Sequence, residues 1–188
     1  MRVIHFSHTM AENVSKDIFA SPLNYDYLVH QCNCLTIKSH GFSELVGLAF
    51  GQEADVYATR QPVPGQNLSM VETRGFPGTV TILPTNQTQV HVVALFGQWA
   101  PGSLTSPWPA KYVLFKREAE TATQRERWFK MALMDLEMQL PDGCRVAFPW
   151  QIGCGLAGGD WDTYASMIHV FAERIKARGI VVQIYKKD

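Results

Sequence analysis

The chain has 188 residues, of which 17 are Lys or Arg and 17 are Asp or Glu, so its formal net charge is zero. Apolar residues make up 46% and charged residues 18%, which indicates a globular protein of one domain over 1–188 and excludes a disordered chain. The charge balance argues against an extended grip on nucleic acid, and no apolar run is long enough to span a membrane. A small anion held by backbone amides remains compatible with both observations.

The N-terminal residues MRVIHFSH alternate apolar residues with charge and histidine, and this pattern predicts a first strand over Arg2–His8. They lack the basic start, apolar block and small-residue cleavage site of a secretory signal. We therefore expect an intracellular protein, in the cytoplasm or the nucleus.

An inner strand and a helix come next. Tyr25–Cys34 (YDYLVHQCNC) is aromatic and β-branched with an apolar centre, which predicts a buried strand. Phe42–Phe50 (FSELVGLAF) has helical apolar spacing, with Ser43 as a candidate cap and Gly51 as a stop. The stretch 51–75 has three Gly, two Pro and little periodicity, which predicts an irregular excursion over the surface of a kind that is often functional.

The middle of the chain predicts a hairpin and a long helix. Gly78–Leu83 and Gln89–Phe96 are strand candidates separated by the turn sequence PTNQT. A Pro-, Gly- and Trp-rich loop over 97–116 then leads into a helix over Arg117–Leu140. The expected buried face of that helix consists of Trp128, Met131, Ala132, Met134, Leu136 and Met138.

The last third alternates strand, loop, helix and strand. Cys144–Phe148 is a short strand candidate, Asp162–Ala177 a helix ended by Gly179, and Ile180–Tyr185 a closing strand. This order implies parallel pairing with a right-handed crossover. In such sheets the ligand lies beyond the carboxyl ends of the strands.

The strongest local signal is the glycine loop, residues 153–159 (GCGLAGG), between a strand and a helix. Four glycines in seven residues let the backbone approach a ligand closely, and the following helix start would offer unpaired N–H groups to a phosphate. The alternative is a flexible connection, which rarely needs so many glycines. The string is neither a dinucleotide fingerprint nor a P-loop.

The end of the inner strand is the second signal. Asn33 lies where a side-chain amide can bind a sugar hydroxyl, and His30, within the strand, is either a core histidine or a catalyst. His40, in a polar loop before Gly41, is better placed as an acid or a base. Lys38 either neutralises a phosphate or is simply solvated.

The loop after the second hairpin strand is the third signal, where Trp99 either walls a pocket or covers core. Cysteine spacing suits neither a disulfide staple nor a zinc site, so we expect buried structural thiols and no metal or other cofactor. The four cysteines are Cys32, Cys34, Cys144 and Cys154.

Together these strand ends resemble the macrodomain family, an ADP-ribose-binding α/β fold, and most nearly its fungal ADP-ribose 1''-phosphate phosphatases and human-type glutamate ADP-ribosylhydrolases. The resemblance covers about Arg2 to Tyr185, with 51–75 atypical. It implies a three-layer α/β/α fold with a mixed central sheet. The residues that carry it are His30-Gln31-Cys32-Asn33-Cys34, Leu95-Phe96, Ile152-Gly153-Cys154-Gly155-Leu156, Trp161 and Asp17-Ile18.

The resemblance also implies a ligand site. Asp17 would accept from the adenine amino group with the Ile18 backbone nearby, Asn33 would contact the distal ribose, and the glycine loop would hold the diphosphate. The loop 96–99 would lie beside the distal ribose. The full implied ligand set is Asp17, Ile18, Asn33, Lys38, Gly41, Phe96, Gln98, Trp99, Ile152, Gly153, Cys154, Gly155, Leu156, Ala157, Gly158 and Trp161.

Two positions depart from the hydrolase pattern. Gln98 stands where the glutamate ADP-ribosylhydrolases have a catalytic Lys, and Ala157 stands where they have an Asp. In the phosphatase branch a histidine matching His30 takes part in catalysis. The catalytic candidates are therefore His30, His40 and Asp160, the last equally explained as a helix cap.

Two functions follow from the resemblance. The first is a hydrolase that removes a 1''-phosphate, or a protein or nucleic-acid acceptor, from the distal ribose. The second is a reader that binds ADP-ribose or a related nucleotide without turnover. The expected partner is ADP-ribose or an ADP-ribosylated substrate, and the sequence favours neither a particular acceptor nor an oligomeric state.

Overall fold

The computed structural model describes residues 11–85, 88–105 and 120–187, and these form a six-stranded sheet with helices on both faces. The strand order is β1-β6-β5-β2-β4-β3, and only the β3–β4 pair is antiparallel. The sheet is therefore mixed, as predicted. The strands are β1 (Glu12–Ser15), β2 (Tyr27–Asn33), β3 (Val80–Leu83), β4 (His91–Gln98), β5 (Arg145–Pro149) and β6 (Val181–Lys186).

Helices cover the two faces because successive strand residues point to opposite sides. On one face, Val29 and Phe148 pack against α2 (Ala122–Gln139) and α3 (Trp161–Ile175). On the other, Leu28 packs with α1 (Phe42–Phe50). This is the three-layer α/β/α arrangement that the resemblance implied.

The predicted elements agree with the structure to within a few residues wherever it describes them. The bounds of α1 match the prediction, the two hairpin strands pair, and Gly179 adopts the left-handed conformation (φ 69°) that ends the last helix. The predicted first strand, Arg2–His8, lies outside the described residues, as does the segment 106–119. None of the helices in the described ranges has the length and apolar character that crossing a bilayer requires.

The predicted buried face of α2 is wrong in part. Met131, Met134 and Met138 are exposed, because the stripe that meets the sheet is rotated away from them. Helical neighbours lie three and four residues apart, and only one such stripe can face the sheet. The buried residues of α2 are Arg125, Phe129, Ala132, Leu133 and Leu136.

Three further predictions need correction. Ser43 does not cap α1; Gly41 precedes that helix without a side-chain cap, and Ser43 is buried inside its first turn. The stretch 51–75 is irregular as predicted, but it packs into the protein, because Tyr57 and Leu68 are buried and the Ser69 amide donates to the Leu35 carbonyl at 2.7 Å. All four cysteines are free, and Cys154 is only half-buried.

Candidate functional site

A cavity of about 410 Å³ lies at the carboxyl ends of β2, β4 and β5, between the start of α1 and the glycine loop. Because these three strands are parallel neighbours, the loops that leave them converge at one sheet edge. Strand residues and loop residues share the wall. It is formed by Gln31, Asn33, Lys38, His40, Gly41, Phe42, Ser43, Tyr57, Gln98, Pro101, Gly102, Pro149, Trp150, Gln151, Ile152, Gly153, Gly155, Leu156 and Ala157.

The glycine loop contributes free backbone amides to this wall. Within the described chain, the N–H groups of Gly153, Gly155, Leu156 and Ala157 donate to no acceptor. Gly153 has φ +74° and packs so tightly that a Cβ there would lie 2.5 Å from the Gln31 Oε1 atom. Successive unpaired N–H groups in such a turn form a concave anion-binding surface.

The helix start that lines the cavity is that of α1. Phe42 and Ser43 line it, and their amides have no acceptor in the described ranges. The helix after the glycine loop, α3, has none of its residues in the cavity wall, and Asp160 caps it by accepting from the Thr163 amide at 2.9 Å. An open helix N-terminus favours an anion through its N–H groups and its dipole.

The formal charge at the cavity wall is positive and belongs to Lys38. Both Lys38 and His40 line the cavity and are exposed, and none of its described lining residues is Asp or Glu. Together with the free amides, this arrangement favours an anionic ligand.

Asn33 closes one end of the cavity and is held by many contacts. Its Oδ1 atom accepts from the Leu35 amide (3.0 Å) and from the amide and hydroxyl of Thr36 (2.9 and 3.1 Å). Its backbone N–H and its Nδ2 atom both donate to the Tyr57 hydroxyl, at 2.9 and 3.2 Å. Arg60 donates to its carbonyl oxygen at 2.8 Å.

Gln98, at the position where the resemblance would have a lysine, is held in place by other polar groups. Its Oε1 atom accepts from Gln31 Nε2 at 2.9 Å, and its own amide donates to the Ala100 carbonyl at 3.1 Å. The side chain thereby braces the floor of the cavity between β2 and β4.

A buried ion pair joins α2 to both cavity loops. The Arg125 guanidinium contacts Glu120 at 2.9 Å and donates to the carbonyls of Gly102 and Ala157, each at 2.8 Å. The Glu120 carboxylate in turn accepts from the amides of Trp99 and Ala100. This network fixes the loop after β4 against the glycine loop.

His30 lies beneath α1 and does not line the cavity. It is 1% exposed, and its Nδ1 atom lies 3.1 Å from the Ser43 hydroxyl. Burial lowers the pKa of His30 to about 4, so the ring is neutral at pH 7.

Asp17 and Ile18 follow β1, which β6 and β5 separate from β2 and Asn33. Asp17 pairs with Lys187 at 2.9 Å and accepts from the Phe19 amide at 3.0 Å, and these contacts lower the pKa of its carboxyl. Ile18 is buried, and its carbonyl accepts from the Tyr25 hydroxyl at 2.6 Å.

The structure thus divides the implied ligand set, together with the three catalytic candidates His30, His40 and Asp160. Asn33, Lys38, His40, Gly41, Gln98, Ile152, Gly153, Gly155, Leu156 and Ala157 share the cavity wall. The members that do not line it are Asp17, Ile18, His30, Phe96, Trp99, Cys154, Gly158, Asp160 and Trp161.

Sequence reasoning missed several residues of the site. Tyr57 comes from the excursion, which has no periodicity, and Arg125 is a charged residue in an otherwise apolar stripe. Trp150, which lines the cavity, packs edge-on against Trp161 with ring centroids 5.9 Å apart. No pattern in the sequence identifies Tyr57 or Arg125. Trp150 lies three residues before the glycine loop, so its position in the sequence does point to the site.

Comparison with solved structures shows the fold. The macrodomain of Mycobacterium tuberculosis DarG is 14% identical, with a TM-score of 0.61 over 95% of this chain and 99% of that one. A Trypanosoma brucei macrodomain in complex with ADP-ribose is 12% identical, with a TM-score of 0.55 over 92% of this chain and 61% of that one. No protein-family model and no curated protein sequence matches the chain. The chain therefore has the macrodomain fold, at a level of identity that carries no residue roles.

Proposed function

We propose that this protein binds ADP-ribose in the cavity. The observation that carries the proposal is the convergence of unpaired amides from the glycine loop and from the start of α1 on one cavity whose described lining contains no carboxylate. A diphosphate accepts from such amides, and the Lys38 ammonium complements its charge.

The span of the sheet edge supports a ligand of this length. Asp17 follows β1 and Asn33 ends β2, and the sheet order places β6 and β5 between them. Three strand spacings amount to about 14 Å. An adenine near Asp17, a diphosphate at the glycine loop and a distal ribose near Asn33 would follow this line across the sheet.

Hydrolysis at the distal ribose is the activity we propose for the bound state. Water adds across the bond between the distal ribose and its substituent: the acceptor or phosphate leaves, and the ribose regains a hydroxyl. His40 is the favoured base because it lines the cavity and is open to water, whereas His30 is enclosed and Asp160 caps α3. The loop amides would stabilise charge that develops on the departing oxygen.

A reader without turnover is the second candidate. It is favoured by Gln98 and Ala157, which replace groups that the resembling hydrolases use. Gln98 is bound on both sides by Gln31 and Ala100 and has no charge to offer.

Calorimetry followed by product analysis tests both candidates. We expect ADP-ribose to bind more tightly than AMP, and incubation with ADP-ribose 1''-phosphate, ADP-ribosylated protein and ADP-ribosylated DNA to release ADP-ribose from at least one. Binding without any product would favour the reader. Absence of binding to ADP-ribose, ADP and AMP would overturn the proposal.

A further inference from the structure

The stretch 51–75 reaches the cavity through one side chain, Tyr57. Its ring is buried and lies 4.6 Å from the Arg60 guanidinium, which also donates to the carbonyls of Thr36 and Asn33. The Ile37 amide donates to Asn67 Oδ1 at 3.3 Å, so the stretch is attached to the loop after β2 at several points. Tyr57 is therefore held rigidly at the cavity wall.

The hydroxyl of Tyr57 has a proton left to donate. Both of its accepting positions are taken by Asn33, through the backbone N–H and the Nδ2 atom. Burial raises the pKa of this phenol well above its usual value, so it keeps its proton at all physiological pH values. Its neighbour in the free protein is the Cys32 thiol, which is a weak acceptor.

Asn33 is similarly restricted to donation. Three donors from Leu35 and Thr36 occupy its Oδ1 atom, and one Nδ2 hydrogen goes to Tyr57. One Nδ2 hydrogen is left for the cavity. The two residues therefore present a pair of hydrogen-bond donors at this end.

We propose that Tyr57 is a specificity-determining residue, which donates with Asn33 to an oxygen of the ligand's distal ribose or its substituent. The proposal rests on ADP-ribose binding in the cavity. A ligand oxygen is a better acceptor than the Cys32 thiol, so binding exchanges a weak hydrogen bond for a stronger one. The hydroxyl also orients Asn33, and both effects act only on a ligand that extends beyond its diphosphate.

The test compares ADP-ribose with ADP, which ends at the diphosphate. We expect Tyr57→Phe to weaken ADP-ribose binding by about 3- to 12-fold, the worth of one hydrogen bond, and to leave ADP affinity unchanged. Tyr27→Phe is the matched control, since Tyr27 begins β2 at the end opposite Asn33 and stacks on His91. It should change neither affinity.

A second measurement does not depend on the variant folding. In wild-type protein labelled with ¹³C at tyrosine Cζ, ADP-ribose should shift the Tyr57 resonance and ADP should not. Three results would overturn this inference and leave ADP-ribose binding intact. They are an equal loss of affinity for ADP-ribose and ADP in Tyr57→Phe, an unchanged affinity for both, or a Tyr57 resonance that ADP-ribose does not shift. Absence of ADP-ribose binding by the wild-type protein would overturn the proposed function and this inference together.

Discussion

Arg125 and Ala157 are joined by a hydrogen bond of 2.8 Å from the guanidinium to the carbonyl oxygen, which ties the second helix to the glycine loop. The same guanidinium pairs with Glu120, and both side chains are largely buried. The buried guanidinium of Arg125 thus holds together two loops whose described residues belong to no strand. The shape of the cavity depends on α2, although no α2 side chain lines it.

Replacing Arg125 with Met should destabilise the protein strongly. The change leaves Glu120 without its ion-pair partner and the carbonyls of Gly102 and Ala157 without this donor, and breaking a buried pair from one side typically costs about 3–5 kcal/mol. Urea unfolding measures this cost. Arg145→Met, which removes an exposed pair with Asp26 at 3.9 Å, is the control and should cost under about 1 kcal/mol. Similar losses in the two variants would contradict the role of Arg125.

Replacing Gly153 with Ala should damage both stability and binding. The new Cβ would lie 2.5 Å from Gln31 Oε1 and 2.9 Å from the Tyr164 ring, in addition to the strain of φ +74°. Gly65 has φ +70° with nothing within 4 Å, so Gly65→Ala isolates the strain, which is about 1–2 kcal/mol. We expect Gly153→Ala to cost about 1–3 kcal/mol more than Gly65→Ala in denaturant unfolding. Only Gly153→Ala should also weaken ADP-ribose binding in calorimetry.

The free energy of unfolding should decrease as the pH falls, because His30 resists protonation in the folded state. Its pKa is about 4 in the folded protein and near 6.5 when unfolded, so the unfolded state binds more protons between these values. The stabilisation is complete above pH 6.5 and is lost as the pH falls toward 4. We expect the unfolding free energy to drop by about 2 kcal/mol between pH 7.5 and 5.0 from this residue alone.

Urea unfolding of His30→Gln at the same two pH values checks this. Gln does not titrate and retains a polar group for Ser43, so the variant should lose about 2 kcal/mol less than the wild type over this interval. Asp17 does not interfere, because its lowered pKa leaves it ionised at both pH values. An equal drop in the two proteins would mean that His30 titrates normally.

Replacing His40 with Ala should separate binding from turnover. If His40 activates water, the rate of release should fall by about 10²- to 10⁴-fold. ADP-ribose affinity, measured by calorimetry, should change far less. His91→Ala is the control, because His91 begins β4 at the other end of the sheet. Turnover that survives in His40→Ala would remove His40 from the reaction.

Periodic segments could be predicted from the sequence, and isolated polar contacts could not. The apolar spacing of 42–50 defined α1, and the β-branched stretches defined β2 and the hairpin, because burial of one face sets these patterns. The same reasoning failed on α2. The apolar character of its methionines predicts that they are buried, but they are exposed, and Arg125 takes a core position because its partners satisfy its charge.

The candidate site, like the fold, was predictable from the sequence only in part. The glycine loop was evident because close approach of backbone to ligand needs glycine, and its residues do line the cavity. The sequence offers Asp160 as a cap of α3, but only the fold shows that the start of α1, and not that of α3, lines the cavity. No sequence pattern identifies Tyr57, because its hydroxyl meets Asn33, 24 residues earlier in the chain, only in the folded protein.

The packing of 51–75 determines how the chain tolerates shortening. Irregular stretches of this kind are often chosen for deletion, because they are assumed to be exposed loops with few contacts. Here deletion would remove Arg60 and Ser69, which donate hydrogen bonds to the carbonyls of Asn33, Thr36 and Leu35, and would expose the end of β2 to solvent. A chain with 51–75 replaced by a short linker should therefore lose its ligand site along with part of its core, whereas an insertion at Gly65, where nothing lies within 4 Å, should leave both intact.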